Sequence, residues 1–226
     1  MIKIENLRKS FGDKVVLNNL SASFLPGEVY GIVGANAAGK TTFFRCIAGL
    51  ETFDGTITAA TSPLKDTLGY LIAEPYFLPQ ITGEEHVLLL TEARGRKVKE
   101  VMKYNIFDLP LKSYVHTYST GMKKKLAIMS LLLQDNEYFI FDEPYNGLDL
   151  QSSMVLTEII LKLKQLGKTI LISSHIFSTL RDTCDEILLL ENGAFVQQII
   201  REDFSKLEEE LKGHAFSFDL DKLLMR

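Results

Sequence analysis

Gly34-Ala35-Asn36-Ala37-Ala38-Gly39-Lys40-Thr41-Thr42 follows the pattern G-x-x-x-x-G-K-[ST]. In a loop of this kind, backbone N–H groups cradle phosphates and the lysine reaches the β- and γ-phosphates. Gly39 lets the backbone approach closely, Lys40 supplies a point charge, and the Thr41 hydroxyl is placed for Mg²⁺. A second group of chemical residues lies downstream. Tyr138-Phe139-Ile140-Phe141 runs into Asp142-Glu143, so a strand delivers two carboxylates at its C-terminal end, where ligands of open α/β sheets bind. Asp142 suits Mg²⁺, a hard cation that takes oxygen ligands, and Glu143 can orient and deprotonate an attacking water. Ser173-Ser174-His175 closes another apolar run. An imidazole there can donate to a γ-phosphate, although a lone histidine at a strand end is more often structural. The expected chemistry is binding and hydrolysis of a nucleoside triphosphate.

The elements that must position these groups are legible on either side of them. Val29-Tyr30-Gly31-Ile32-Val33 reads as a short buried strand before the loop, and Thr41 to Leu50 as the helix after it. That helix N-terminus adds partial positive charge and free N–H groups for a polyphosphate. Leu68 to Ile72 and Thr169 to Ser173 read as further strands, and Leu150 to Leu166 as an amphipathic helix closed by Gly167. Glu186–Leu190 and Ala194–Ile200 flank Asn192-Gly193, a hairpin turn signal. Thr82 with Glu85 has the form of a capping box before Val87–Arg94. Val98–Tyr104 suggests another helix. A third begins just after Gly121, carries Lys123-Lys124-Lys125 in its first turn, and runs to Gln134.

Strands alternating with helices, with continuous apolar runs, indicate an α/β fold with a mostly parallel sheet covered on both faces. Residues 1–200 read as one domain with a helix-rich insertion at about 76–135. The polar tail, 201–226 with Glu208-Glu209-Glu210, reads as a marginal surface helix.

Composition narrows the class. The chain has 226 residues, 46% of them hydrophobic, and 25 basic against 29 acidic side chains. Its net charge of −4 argues against a broad nucleic-acid surface. Apolar runs such as Val87–Leu90 and Ile187–Leu190 are far too short to span a bilayer. The N-terminus lacks the apolar core of a signal peptide. Cys46 and Cys184 suggest reduced, buried thiols. A cytoplasmic protein is expected, with any membrane role coming through a partner.

Taken in this order, the residues resemble the nucleotide-binding subunit of an ABC transporter, with a P-loop NTPase core and an antiparallel N-terminal β portion. The resemblance covers residues 1 to about 200. Ser119-Thr120-Gly121-Met122-Lys123 looks like that family's signature motif, and Tyr145-Asn146-Gly147-Leu148-Asp149 like its D-loop. His175 falls at the switch-histidine position. Phe11 falls where an aromatic ring stacks on adenine, the favoured reading; the alternative is a turn-packing phenylalanine. The resemblance implies ATP and Mg²⁺ as ligands and a head-to-tail pair of subunits. In such a pair Ser119, Gly121 and Met122 of one subunit, with the Asp149 loop, face the nucleotide held by the other. Ser119 before a helix suits this role, because a capped helix start is a ready anion site.

The chain departs from the family at several positions. Ala37 replaces a common glycine, Thr120 a glycine and Met122 a glutamine; the S-x-G-M pattern followed by basic residues resembles the branch of bacitracin-type and other antimicrobial-peptide exporters. Ala73 stands where a glutamine normally contacts Mg²⁺ and the membrane subunit. Two readings of its neighbour are open: Glu74 takes over part of that role, or it only caps the turn before Pro75. The leading functional expectation is an ATPase subunit on the inner face of the membrane that drives an integral permease, with contact around Ala73–Gly83, where Tyr76, Phe77, Leu78 and Ile81 form an apolar loop. The alternative is an ABC-type ATPase without a permease, as in cofactor or cluster assembly. A GTPase is disfavoured by the absence of an N-K-x-D sequence.

Overall fold

A computed structural model describes residues 1–61 and 63–215, and for 210–215 the backbone alone. The last eleven positions of the expected polar tail, 216–226, lie outside the described residues.

Two sheets pack together. The first joins β1 (Ile2–Phe11), β2 (Lys14–Phe24) and β4 (Asp54–Ala59) in the order β2-β1-β4, with both pairings antiparallel. β1 alternates as a half-buried strand must: Ile2, Ile4 and Leu7 are buried and the residues between them face solvent. The second sheet contains β3 (Val29–Val33), β5 (Leu68–Leu71), β6 (Tyr138–Asp142), β7 (Thr169–Ser173), β8 (Glu186–Glu191) and β9 (Ala194–Ile200), in the order β5-β6-β7-β3-β8-β9. Its pairings are parallel from β5 to β8, and β9 closes the edge as an antiparallel hairpin. Strands β6 and β7 are buried along their whole length, as strands covered on both faces should be. The hairpin turn has positive φ at Asn192 and Gly193, the conformation that an Asn-Gly pair accepts most easily.

Three clusters of buried side chains fix the arrangement. Between the two sheets lie Leu7, Leu17, Phe24 and Ile32 with Phe43 and Phe44 of α1 (Lys40–Ile47). On the far face of the larger sheet, Phe139, Phe141, Ile170 and Ile172 meet Leu156 and Ile160 of α4 (Leu150–Gln165) and Leu180 of α5 (Phe177–Thr183). A third cluster joins Val87 of α2 (Gly83–Ala93) to Leu126 and Met129 of α3 (Thr120–Leu132), with Val101 and Val115. The helix α2 begins with the expected capping box: Thr82 N–H donates to Glu85 Oε2 (2.8 Å), and Glu85 N–H donates to Thr82 Oγ1 (3.2 Å).

Two elements differ from expectation. Val98–Tyr104 does not form an α-helix; only a 3₁₀ turn spans Val101–Tyr104. The preceding residues Arg96, Lys97 and Lys99 crowd like charge, and Asn105 folds the following chain back by exchanging two hydrogen bonds with the backbone of Leu109. The tail segment is also more than a surface helix. α6 (Phe204–Ala215) anchors Phe204 and Leu207 in the second cluster. Cys46 and Cys184 are free and buried, and burial pushes both thiols up, to about 11 and about 12.

Candidate functional site

The loop Gly34–Gly39 leaves the end of β3 and turns into α1. Its path is set by close backbone approach. A Cβ on Gly34 would lie 2.3 Å from the Leu190 carbonyl oxygen, and Gly39 has φ 112; both positions need glycine. Ala37 also sits in the left-handed region, at φ 64, so the missing glycine does leave an alanine in a conformation it disfavours. α1 starts with no side-chain cap, which leaves its first-turn N–H groups to an incoming anion. Lys40 folds back over the loop and donates to the carbonyls of Gly34 (2.6 Å) and Ala35 (3.2 Å). Burial lowers its pKa, and the nearby carboxylates of Glu143 and Asp142 oppose that shift.

Three neighbouring strands, β3, β6 and β7, end at this loop. Asp142, the last residue of β6, is buried and accepts from Thr41 Oγ1 (2.8 Å), Ser173 Oγ (2.7 Å) and Tyr70 OH (3.4 Å). Beside that negative charge, and chiefly because it is buried, the Tyr70 hydroxyl is raised above its ordinary range. Glu143 follows at φ 49. Its N–H donates to Ser173 Oγ (3.0 Å), and its Oε2 accepts from His175 N–H (3.3 Å). Its buried Oε1 accepts no hydrogen bond among the described residues, although His175 Nε2 lies 3.1 Å away. An unpartnered buried carboxylate oxygen leaves acceptor capacity for a proton donor such as water.

A cavity of about 420 Å³ is lined by Phe11, Lys14, Val16, Asn36, Ala37, Ala38, Gly39, Lys40, Thr41, Thr42, Asp142, Glu143 and His175. The expected phosphate residues from Asn36 to Thr42 therefore share one cleft with Asp142, Glu143 and His175, while Gly34 and Ala35 do not line it. Phe11 also lines it, half-exposed, with Lys9 Nζ 4.6 Å above its ring centre. The residues fit a polyphosphate carrying a divalent cation. No three His, Cys, Asp or Glu side chains converge on a metal position among the described residues, so a cation held by Thr41 and Asp142 would take its other ligands from phosphate and water, as Mg²⁺ commonly does.

Ser119, Gly121, Met122 and Asp149 do not line this cleft. Ser119 caps α3, its Oγ accepting from Met122 N–H at 3.2 Å. A Cβ on Gly121 would lie 2.5 Å from the Gly147 carbonyl oxygen, so the start of α3 packs directly on the turn before α4. Asp149 caps α4 by accepting from Ser152 N–H (2.8 Å), and it pairs with Lys125 Nζ (2.7 Å). Those bonds hold its carboxyl well below the usual range. These residues form a second edge built from two adjoining helix starts.

Three contributors are absent from the sequence reading. Ser173 bridges Asp142 and the Glu143 N–H; a serine ending an otherwise apolar strand was the available signal. Tyr70 was hidden in a strand. Lys124 is 2% exposed, and its ammonium donates to the carbonyls of Glu143 (3.2 Å) and Ala73. Burial lowers its pKa, against the pull of Asp142, Glu143 and Glu74. The sequence did carry a sign of this. Lys124 shares a helix face with Ile128 and Leu131, so it belongs to the apolar stripe and not to the solvated side.

Comparison with known proteins gives a consistent answer. The family described as ABC transporter matches residues 17–146. The chain is similar to an uncharacterised ABC transporter ATP-binding protein of Methanocaldococcus jannaschii, 32% identical across 97% of this chain and 83% of that protein. It is also similar to a bacitracin transport ATP-binding protein of Enterococcus faecalis, 31% identical across 88% of this chain and 69% of that one. A solved ATP-binding subunit of an ABC transporter superposes over 100% of this chain and 98% of its own, with a TM-score of 0.81 and 27% identity.

Proposed function

Because the chain belongs to the ABC transporter family, as an ATP-binding subunit, we propose that it hydrolyses ATP in the cleft between Phe11 and His175 and drives an integral permease, in the direction of export. The observation that carries the hydrolytic part is the convergence of Thr41, Asp142, Glu143 and His175 at the mouth of the phosphate loop.

Each group has a distinct task. The loop N–H groups and the α1 N-terminus bind the phosphates, and Lys40 exchanges its two loop carbonyls for phosphate oxygens. Thr41 and Asp142 would hold Mg²⁺, which when bound would supply positive charge to offset that of the phosphates. Glu143 orients the attacking water and accepts its proton, and His175 steadies the Glu143 carboxylate and reaches toward the γ-phosphate. Phe11 stacks on the base. Ser119, Gly121, Met122 and the Asp149 loop, held on a separate edge, complete the site of a second subunit. Closure of that dimer by ATP and its release after hydrolysis is a population shift set by differential affinity.

The permease contact is assigned to the surface around residues 73–83. There Tyr76 and Leu78 are exposed, and a cavity of about 380 Å³ is lined by Tyr70, Pro75, Tyr76, Phe77, His86 and Arg94 among others. No helix among the described residues is long and apolar enough to cross a membrane, so a membrane-spanning partner would supply that part. Export is favoured by a relative of Burkholderia lata, 31% identical across 85% of this chain, that is named for Nod factor export. Purification of the tagged chain from detergent-solubilised membranes tests the assignment: an integral membrane protein should copurify, and Tyr76→Asp should release it while ATP binding persists. Recovery without any membrane partner would favour a permease-free ATPase.

A further inference from the structure

Strand β6 stops pairing at Asp142, which sits opposite Ser173 of β7. Glu143 is one residue past the end of the ladder, with a left-handed φ of 49, and its backbone groups need new partners. Ser173 Oγ takes the N–H, at 3.0 Å, and Lys124 Nζ donates to the carbonyl at 3.2 Å. The same ammonium donates to the Ala73 carbonyl, at the start of the loop that leads from β5 to α2. A buried ammonium is costly unless it is hydrogen-bonded and balanced by charge. Here two carbonyls bind it, and the carboxylates of Asp142, Glu143 and Glu74 attract it. A methionine or leucine would fill the same space without that cost, so filling space does not account for a lysine on this face.

We propose that Lys124 is a positioning residue for Glu143: it holds the Glu143 backbone in the left-handed conformation that turns the carboxylate onto His175, and it ties that conformation to the Ala73 carbonyl. The inference rests on Glu143 acting as the base in the reading above. Its consequence is mechanical. Lys124 is on α3, which Ser119 caps and whose first turn carries Gly121, so a shift of α3 or of the loop after Ala73 moves the catalytic glutamate without touching the phosphate loop.

The test uses the full chain with Lys124→Met, Lys124→Gln and Glu143→Gln, singly and combined. In Lys124→Met, kcat for ATP should fall about tenfold or more while KM stays within about twofold, and Lys124→Gln, which keeps N–H donors, should recover part of the loss. In a Glu143→Gln background, Lys124→Met should leave the residual rate unchanged, because a residue acting only through Glu143 has nothing left to position. A lysine that merely stabilises the fold would lower melting temperature in both backgrounds and show no such split. Should Lys124→Met fail to fold, the Lys124→Gln variant carries the same comparison. An inactive Glu143→Gln together with a normal kcat in the Lys124 variants overturns this inference alone. A fully active Glu143→Gln overturns the reading beneath it as well.

Discussion

Thr41 Oγ1 donates to Asp142 Oδ2 at 2.8 Å, fastening the first turn of α1 to the end of β6. Those two oxygens are the protein's proposed ligands for one cation, and a hydroxyl that donates its proton to Asp142 keeps its oxygen lone pairs for that cation. Asp142→Asn keeps the side chain's size and most of its hydrogen bonds but removes the charge. ATPase activity should fall about a hundredfold or more, and the Mg²⁺ concentration for half-maximal rate should rise. A Mg²⁺ titration of the rate reads both, and an unchanged titration curve would remove Asp142 from the cation site.

Glu143→Gln should lower the ATPase rate by about 10²–10⁴-fold, the usual contribution of a positioned base. ATP binding should persist, because the phosphate loop is untouched. With hydrolysis blocked, ATP should shift the variant toward a dimer on size exclusion, and it should do so less when Ser119→Ala is added.

Two loop positions should respond with opposite signs. At Ala37, φ 64 is strained for a residue with a Cβ, and Ala37→Gly should gain up to about 1 kcal/mol in unfolding free energy. At Gly34 a Cβ would sit 2.3 Å from the Leu190 carbonyl oxygen. Gly34→Ala should cost about 1–3 kcal/mol and weaken nucleotide binding as the loop shifts. Urea unfolding checks the pair; a loss at Ala37→Gly would show that the loop does not carry this strain.

His86 is buried against the Phe77 ring, with ring centres 4.6 Å apart. Burial lowers its pKa from 6.5 to about 4. Between those values the unfolded chain binds a proton that the folded chain refuses, so stability is full above the unfolded value and falls as pH drops toward 4. His86→Phe should flatten that part of the stability-pH curve. Thermal melts across the window test it, and equal slopes for the two proteins would exclude His86 as the source.

The phosphate loop and the ends of β3, β6 and β7 were readable because each strand is a short, continuous apolar run broken by a polar or glycine residue. What stayed hidden depends on side chains that run against their usual setting. Three lysines in a row give no sign by themselves of which one is buried, yet Lys124 turns inward, Lys125 pairs with Asp149 and only the helix phase separates them. Phe204 and Leu207 are too few to give the tail a period, although both are buried. Val98–Tyr104 has apolar spacing, but the charge before it and the Asn105 fold-back after it outweigh that pattern.

The placing of β3 between β7 and β8 also governs how the molecule comes into being. Val29 pairs with Ile170, and Tyr30 with Glu186, so the strand that leads into the phosphate loop leaves the ribosome long before either neighbour exists. A nascent chain halted after α4 already holds every loop residue, Asp142 and Glu143, but β3 then has two open edges and nothing to fix its register. Nucleotide affinity should thus arrive abruptly during synthesis, once β8 has emerged. Until then β3 is an unpaired apolar strand that a chaperone would be expected to shield.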